Sequence, residues 1–314
     1  MRKLDDLPIN DQWVRSFRGP KNPVDPSRPY SVLLEKERGI NGEITEIATV
    51  FLTNKECPFK CLMCDLWKNT TDKSVKSGEI PKQIAFALSQ LPEAKAVKLY
   101  NSGNFFDPNA IPTDDYEAIA GLLSNFNRVI VENHPKLTND LVFKFQEMLA
   151  PRLEIAMGLE TSNPQVLARL NKKMTLMDFE NAVTVLNEHQ IDTRAFILLK
   201  PPFMSETEGI FWAQRSIEFA FNAGVKAAVL IPTRFGNGAT DNLGQLGHFS
   251  PPQITSLEKT LEFGISLGLG DVFADLWDIE MFSSCEKCVN QRSERLSTMN
   301  LTQSVPVEIQ CSCS

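Results

Sequence analysis

The sequence predicts an α/β fold: a partial (β/α)6 barrel of the TIM type, followed by a small C-terminal module that contains four cysteines. From residue 44 onward, short apolar runs alternate with amphipathic segments, which is typical of strand–helix units with parallel strands. Polar and ionisable residues gather where each predicted strand ends, the place where barrels carry functional groups. The 314 residues are 42% hydrophobic, which is enough for one large core.

Six strands are predicted, each short, apolar and rich in β-formers, as expected of strands buried on both faces. They cover 44–53, 96–101, 128–132, 153–158, 193–199 and 225–231. A short extra strand over 30–37 precedes them, and 272–278 is a candidate last strand.

Amphipathic helices are predicted between these strands. Ile84, Leu88 and Leu91 recur at helical spacing in the first of them. Thr113 opens the second as an N-cap before an acidic first turn. The predicted helices cover 80–91, 113–126, 138–149, 163–170, 175–189 and 205–223.

Three parts are expected along the chain: a lead-in over 1–43 that packs on the barrel, a core over 44–270 and a four-cysteine module over 271–314. No apolar run approaches the ~20 residues of a membrane span, and no apolar signal segment follows the charged N-terminus. Seven cysteines are too few for a disulfide scaffold. We therefore expect a cytoplasmic protein that does not contact membranes. Its net charge of −7 argues against a free-standing nucleic-acid binder.

Cys57, Cys61 and Cys64 follow the first predicted barrel strand directly, with the spacing C-x3-C-x2-C. Thiolates at this spacing on a loop can turn toward one point, as an iron–sulfur cluster requires. Three ligands on a four-iron cluster leave one iron open to a small molecule. The alternative is a set of buried thiols or part of a zinc site, although zinc sites favour C-x2-C pairs and four ligands.

Four more cysteines lie near the C-terminus, with Cys285 and Cys288 spaced C-x2-C and Cys311 and Cys313 spaced C-x-C. Four thiolates are the full complement of a closed zinc site or of a closed second 4Fe–4S cluster. Two short pairs from separate segments favour zinc, but the spacing leaves the second cluster open.

The remaining candidate residues stand at strand ends. Glu132 and Glu160 could bind a polar ligand or be solvated loop charges. Lys200 would be costly to bury without a partner, so it could pair with a ligand carboxylate or with either glutamate. The full set of strand-end candidates is Ser102, Gly103, Asn104, Glu132, Glu160, Lys200 and Arg234.

The cysteine triplet resembles the cluster loop of the radical SAM superfamily. Other segments resemble its elongator-like branch, and most closely the archaeosine-synthase radical SAM family. The resemblance runs from about residue 30 to the end. The residues that carry it are 57–64, 100–107 (YNSGNFFD), 131–132, 158–161 (GLET), 171–172, 198–203 (LLKPPF) and the tail with Cys285, Cys288, Thr302, Gln303, Cys311 and Cys313.

This resemblance implies the same partial barrel, with a 4Fe–4S cluster on Cys57, Cys61 and Cys64. S-adenosylmethionine (SAM) would chelate the open iron by its amino and carboxylate groups. Electron transfer would then cleave SAM to methionine and a 5′-deoxyadenosyl radical that abstracts a hydrogen from the substrate. In this scheme SAM is bound by Ser102, Gly103, Asn104, Glu132 and Arg234, while Glu160 and Lys200 are the catalytic candidates.

The resemblance also implies radical cleavage of a C–N bond in a lysine-bearing 7-deazaguanine on tRNA, with an electron donor such as flavodoxin or ferredoxin. Asn104 departs from the family, where a serine is expected. One alternative is radical SAM modification of a small metabolite or peptide, with an auxiliary cluster on the late cysteines. An alternative of another class is a non-catalytic iron–sulfur or zinc protein that binds RNA or a protein partner.

Overall fold

A computed structural model describes residues 7–39 and 41–311 of the chain. Its eight strands form one curled sheet in sequential order, with β1 antiparallel to β2 and the seven strands from β2 to β8 parallel. The strands are β1 Ser31–Arg38, β2 Ile44–Phe51, β3 Ala96–Tyr100, β4 Arg128–Glu132, β5 Arg152–Glu160, β6 Asp192–Leu199, β7 Ala227–Pro232 and β8 Asp271–Ala274.

Helices connect the parallel strands. Capping boxes at Thr175 and Ser205 fix the starts of the helices that follow them. In the described residues no helix combines the length and apolar character needed to cross a membrane. The helices are α1 Asp11–Ser16, α2 Glu79–Gln90, α3 Tyr116–Leu122, α4 Asp140–Met148, α5 Pro164–Arg169, α6 Leu176–Glu188, α7 Glu206–Ala223, α8 Ala239–Gln245, α9 Ile254–Ser266 and α10 Val289–Thr302.

The predicted partial barrel is confirmed, together with the six predicted strands, the extra strand and the last one. The number of parallel strands is corrected from six to seven, because β8 pairs with β7 and extends the same sheet. β8 has only four residues, too few for a periodic pattern to place it in the barrel. The domain boundaries remain predictions.

The parallel strands are buried on both faces, as expected, but the two faces of the sheet differ in polarity. On β3, Val97 and Leu99 belong to the hydrophobic core, which also contains buried residues of the helices. Lys98 and Tyr100 alternate with them and point to the inside of the barrel, since successive side chains of a strand face opposite sides. The lumen of the barrel therefore contains buried polar groups.

Two layers fill the lower part of this lumen. Toward the N-terminal ends of the parallel strands, Glu37 pairs with Lys98 and Arg194, both at 2.7 Å, and Glu154 pairs with Arg194 at 2.6 Å. Above them, the rings of Tyr100 and Phe196 meet across the lumen with centroids 6.2 Å apart. The charges in the lower layer are paired, which a buried ionic layer requires. The lumen is thus filled at the end opposite the cysteine loop.

Candidate active site at the barrel mouth

The cysteine loop follows β2 and is tied down by loops that follow other strands. The backbone N–H of Leu62 donates to the carbonyl of Leu170 at 2.8 Å. Asn171 Nδ2 donates to the carbonyl of Lys60 at 2.7 Å, and Asn237 Nδ2 donates to that of Leu62 at 2.8 Å. The loops after β5 and β7 therefore fix the loop that carries Cys57, Cys61 and Cys64.

A stacked pair of rings holds the middle of the same loop. The ring of Phe59 lies 3.8 Å from that of His134, at an interplanar angle of 15°. His134 Nδ1 accepts from the N–H of Lys136, which leaves Nε2 to donate to the carbonyl of Lys172 at 3.0 Å. Burial lowers the pKa of His134 to about 3, so the ring is neutral near pH 7. Sequence reasoning gave His134 no role, because a stack between residues 75 positions apart leaves no local pattern.

Burial disfavours the thiolate forms of the three cysteines in this loop. Burial raises the pKa of Cys57 to about 11 and those of Cys61 and Cys64 to about 12, so metal binding would release protons. Among the described residues, only the late cysteines bring three ligand atoms within 4.8 Å of one another. The three sulfur atoms of the triplet therefore do not all lie within 4.8 Å of one another.

The loop after β3 lies directly against Cys57. Gly103 has φ +130°, and a Cβ atom there would lie 3.2 Å from Cys57 Sγ. Ser102 beside it also has a positive φ, of 57°. Asn104 Nδ2 donates to Cys57 Sγ at 2.9 Å, while Oδ1 accepts from the N–H of His134 at 2.8 Å. Three of the predicted SAM-binding residues are therefore brought to the cysteine loop.

Glu132 supports this loop from the end of β4. Its carboxylate accepts a hydrogen bond from the N–H of Asn101 at 3.3 Å. Burial raises the pKa of Glu132 to about 7, although the backbone N–H groups of Asn101 and Gly103 oppose the rise. Both polar atoms of the Asn101 side chain are buried and lack a hydrogen-bond partner in the described structure. A buried amide in this state fits a site that receives a polar ligand.

Glu160 and Lys172 form a buried ion pair close to Cys61. Glu160 lies at a bulge of β5 with φ +66°, and a Cβ atom on Gly158 would overlap both charged groups. Burial alone would lower the pKa of Lys172. The nearby charge of Glu160 and, to a lesser extent, Cys61 outweigh this effect, so the pKa is raised overall. Lys172 was not among the predicted site residues. The only sequence signal was that the segment 171–172 carried part of the resemblance.

Lys200 and Arg234 are held by other parts of the chain. Lys200 Nζ donates to Glu206 at 2.7 Å, to Ser250 at 2.9 Å and to the carbonyl of Pro251 at 3.2 Å. The sequence left open a salt bridge with Glu132 or Glu160, but the partner is Glu206. Arg234 pairs with Asp275 at 3.1 Å. The structure does not bring these two cations to the groups around Cys57, and their expected roles remain predictions.

The late cysteines gather at a second site. Cys285 Sγ and Cys311 Sγ lie 3.8 Å apart, and the sulfur of Cys288 lies within 4.8 Å of both. Arg292 Nε donates to Cys288 Sγ at 3.4 Å. The predicted fourth ligand, Cys313, lies outside the described residues.

Three relatives align with this chain. An uncharacterized protein of Methanocaldococcus jannaschii is 23% identical over an alignment of 313 positions, which covers 92% of this chain and 86% of that protein. Archaeosine synthase subunit beta of Methanosarcina acetivorans is 23% identical, over 87% of this chain and 84% of that protein. The subunit of the same name from Thermococcus kodakarensis is 30% identical, over 39% of this chain and 40% of that protein. No protein-family model matches the chain.

Solved structures share the fold. Elp3 of Methanocaldococcus infernus, without its N-terminal residues, superposes with a TM-score of 0.52 and 12% identity, over 70% of this chain and 59% of that one. Methylornithine synthase superposes with a TM-score of 0.52 and 14% identity, over 71% of this chain and 64% of that one. Streptococcus suis SuiB bound to S-adenosylmethionine does so with a TM-score of 0.52 and 11% identity, over 71% and 48%. The relatives and the shared fold, together with the three cysteines at the barrel mouth, indicate the same relationship. The chain is related to the radical SAM superfamily, near the archaeosine synthase beta subunits.

Proposed function

We propose that the chain is a radical SAM enzyme that acts on tRNA and cleaves a C–N bond in a 7-deazaguanine-type nucleoside. The observation that carries the proposal is the contact of Gly103 and Asn104 with Cys57 at the barrel mouth. The tRNA substrate is supported by the relatives named archaeosine synthase subunit beta, one of which aligns with 87% of this chain.

Cys57, Cys61 and Cys64 would hold the 4Fe–4S cluster, and the loop of Ser102 and Gly103 would receive SAM. When bound, this pair of cofactors would supply the electron that cleaves SAM and the 5′-deoxyadenosyl radical that removes a hydrogen from the substrate. The protein positions these groups and keeps water out, which is the usual contribution of a cofactor enzyme.

Residues of the chain carry out that positioning. Asn104 donates to Cys57 Sγ, and such hydrogen bonds tune the potential of a cluster. Glu132 holds the backbone of Asn101, whose unpartnered amide is available to a polar ligand. The catalytic candidate Glu160, paired with Lys172, would offer a carboxylate to the ribose of SAM or to the substrate. The ionic and aromatic layers fill the lumen on the other side.

Anaerobic reconstitution with iron and sulfide tests this proposal. We expect reduced protein to convert SAM to 5′-deoxyadenosine, and Cys61→Ala to abolish the conversion. Addition of tRNA that carries the lysine-bearing 7-deazaguanine should change that nucleoside, as measured by mass spectrometry of the digest. If protein with its full iron content does not cleave SAM, the enzyme proposal is wrong and the non-catalytic alternative is favoured. If it cleaves SAM but leaves the tRNA unchanged, modification of a small molecule or a peptide is favoured instead.

For the late cysteines we propose zinc rather than a second cluster. Four sulfurs about 2.3 Å from one zinc ion form a tetrahedron whose edge is about 3.8 Å. The distance between Cys285 Sγ and Cys311 Sγ is 3.8 Å. Sulfurs on a four-iron cluster bind separate irons and lie farther apart, so the close grouping of Cys285, Cys288 and Cys311 favours a single ion.

Metal analysis tests this assignment. The reconstituted chain should contain about four irons and one zinc, and Cys285→Ser should lose the zinc but keep the iron. Cys61→Ala is the matched control, since it should lose iron and keep zinc. About eight irons without zinc would contradict the assignment and would favour an auxiliary cluster.

A further inference from the structure

A cavity of about 420 Å³ opens beside the cysteine loop. Cys57 and the exposed Pro58 form part of its wall. The other lining residues come from the lead-in and from the loops after β2 and β3. They are Arg15, Arg18, Lys21, Lys55, Glu56, Lys60, Asp72, Asp107 and Asn109.

The cavity is basic in a chain whose net charge is −7. Its five Lys and Arg side chains outnumber its three carboxylates. Glu56 holds three of these cations, with distances of 2.8 Å to Arg18, 3.1 Å to Lys21 and 2.8 Å to Lys60. In the described structure Arg15 and Lys55 form no ion pair within 4.0 Å and are available to an anionic partner. Lys55 Nζ contacts only the amide oxygen of Asn109, at 3.3 Å.

This cavity lies on the outer side of the cysteine loop. Its wall contains Cys57, but it contains none of the lumen groups Ser102, Glu132 and Glu160. A partner in the cavity would therefore be close to one predicted cluster ligand without entering the barrel mouth. That position suits a partner that exchanges electrons. It does not suit a substrate, which would enter through the barrel mouth, where Ser102, Glu132 and Glu160 lie.

We propose that this basic cavity docks the acidic surface of a small one-electron carrier of the flavodoxin class. The inference rests on the proposed function. One electron would leave the reduced carrier, which becomes oxidised by one electron, and would enter the cluster beside Cys57, which becomes reduced by one; no bond is made or broken. The phosphate backbone of RNA is a poorer fit, because Glu56, Asp72 and Asp107 interrupt the basic surface and would repel contiguous phosphates.

The charges of this cavity can be changed without breaking its ion pairs. The test variant is Arg15→Glu with Lys55→Glu, and a milder version replaces both residues by Gln. The matched control reverses two exposed lysines elsewhere, Lys144 on α4 and Lys259 on α9. Binding of oxidised flavodoxin is measured by titration calorimetry at low salt, where steering by surface charge is strong.

We expect the double Glu variant to bind flavodoxin at least tenfold more weakly than wild type, the Gln variant to fall between them, and the Lys144/Lys259 control to match wild type. Added salt should weaken wild-type binding and have less effect on the variant. Equal affinity of the variant and the control would overturn the proposal. A loss of tRNA binding with unchanged flavodoxin binding would assign the cavity to RNA instead.

Reduction by dithionite separates this inference from the proposed function. The small reductant needs no docking surface, so wild type and the double Glu variant should cleave SAM at the same rate with dithionite. With flavodoxin as donor, the variant should be slower. If wild type fails to cleave SAM with dithionite, the proposed function is wrong, whatever the binding result.

Discussion

Asn104 joins Cys57 to His134: its Nδ2 donates to the cysteine sulfur at 2.9 Å and its Oδ1 accepts from the histidine N–H at 2.8 Å. One side chain thus connects the cysteine loop after β2 with the loop after β4. Because His134 also stacks on Phe59, the connection returns to the cysteine loop. Asn104 therefore links the loops that surround Cys57.

We predict that Asn104→Asp lowers the reduction potential of the cluster. The aspartate keeps the acceptor for the His134 N–H but replaces the donor to Cys57 by a negative charge, which disfavours the reduced cluster. Asn104→Ala should also leave the His134 N–H without a partner and destabilise the apoprotein by about 1–3 kcal/mol. The measurements are an EPR-monitored redox titration and urea unfolding. Asn139→Asp, which keeps the N-cap of α4, is the control, and a potential unchanged from it would refute the prediction.

Gly103→Ala should prevent proper assembly of the cluster. A Cβ atom would lie 3.2 Å from Cys57 Sγ, and a φ of +130° would cost an alanine about 1–3 kcal/mol. The variant should lose most of its iron after reconstitution, as measured by iron and sulfide content. Gly121→Ala on α3 is the matched control, because no heavy atom lies within 4 Å of its added Cβ. Equal iron in the two variants would show that the close approach at residue 103 is unimportant.

Glu132 should make the stability of the apoprotein depend on pH. Its pKa is raised from 4.5 to about 7 by burial, so the folded state holds this proton more tightly than the unfolded state. The resulting stabilisation is fully present below pH 4.5 and is lost as the pH rises through about 7. Its size is on the order of 3 kcal/mol.

Glu132→Gln removes this contribution. The difference in unfolding free energy between the variant and wild type should therefore shift in favour of the variant between pH 4.5 and pH 8. Denaturant unfolding across this range measures it. Parallel curves for the two proteins would exclude a raised pKa at this position.

Lys172→Met should destabilise the apoprotein strongly, because it leaves the Glu160 carboxylate buried without its partner. Breaking a buried pair by removing one member typically costs about 3–5 kcal/mol. Combining it with Glu160→Gln should recover most of the loss, as measured by urea unfolding. Arg215→Met breaks an exposed pair with Glu218 on α7 and should cost less than about 1 kcal/mol. Similar losses for Lys172→Met and Arg215→Met would contradict the role assigned to the buried pair.

The sequence by itself was sufficient for the local features of this protein. The spacing of Cys57, Cys61 and Cys64 predicts their convergence, because eight residues of loop limit where the thiols can go. The alternation of strands and helices predicts the partial barrel, since each unit needs only short-range patterns to be recognised. Gly103 and Asn104 were selected because they follow a strand end, and the structure places both against Cys57.

Tertiary structure decided which of these residues meet. The partner of Glu160 is Lys172, beyond α5, and that of Lys200 is Glu206; a linear pattern gives no preference between such partners. The curling of the sheet encloses the paired charges of Lys98, Glu154 and Arg194 in the lumen, although the strand sequences are mostly apolar. Packing of the lead-in on the cysteine loop produced the basic cavity with Arg15 in its wall. These contacts join residues far apart in sequence, so their geometry is fixed only when the sheet curls and the loops pack together.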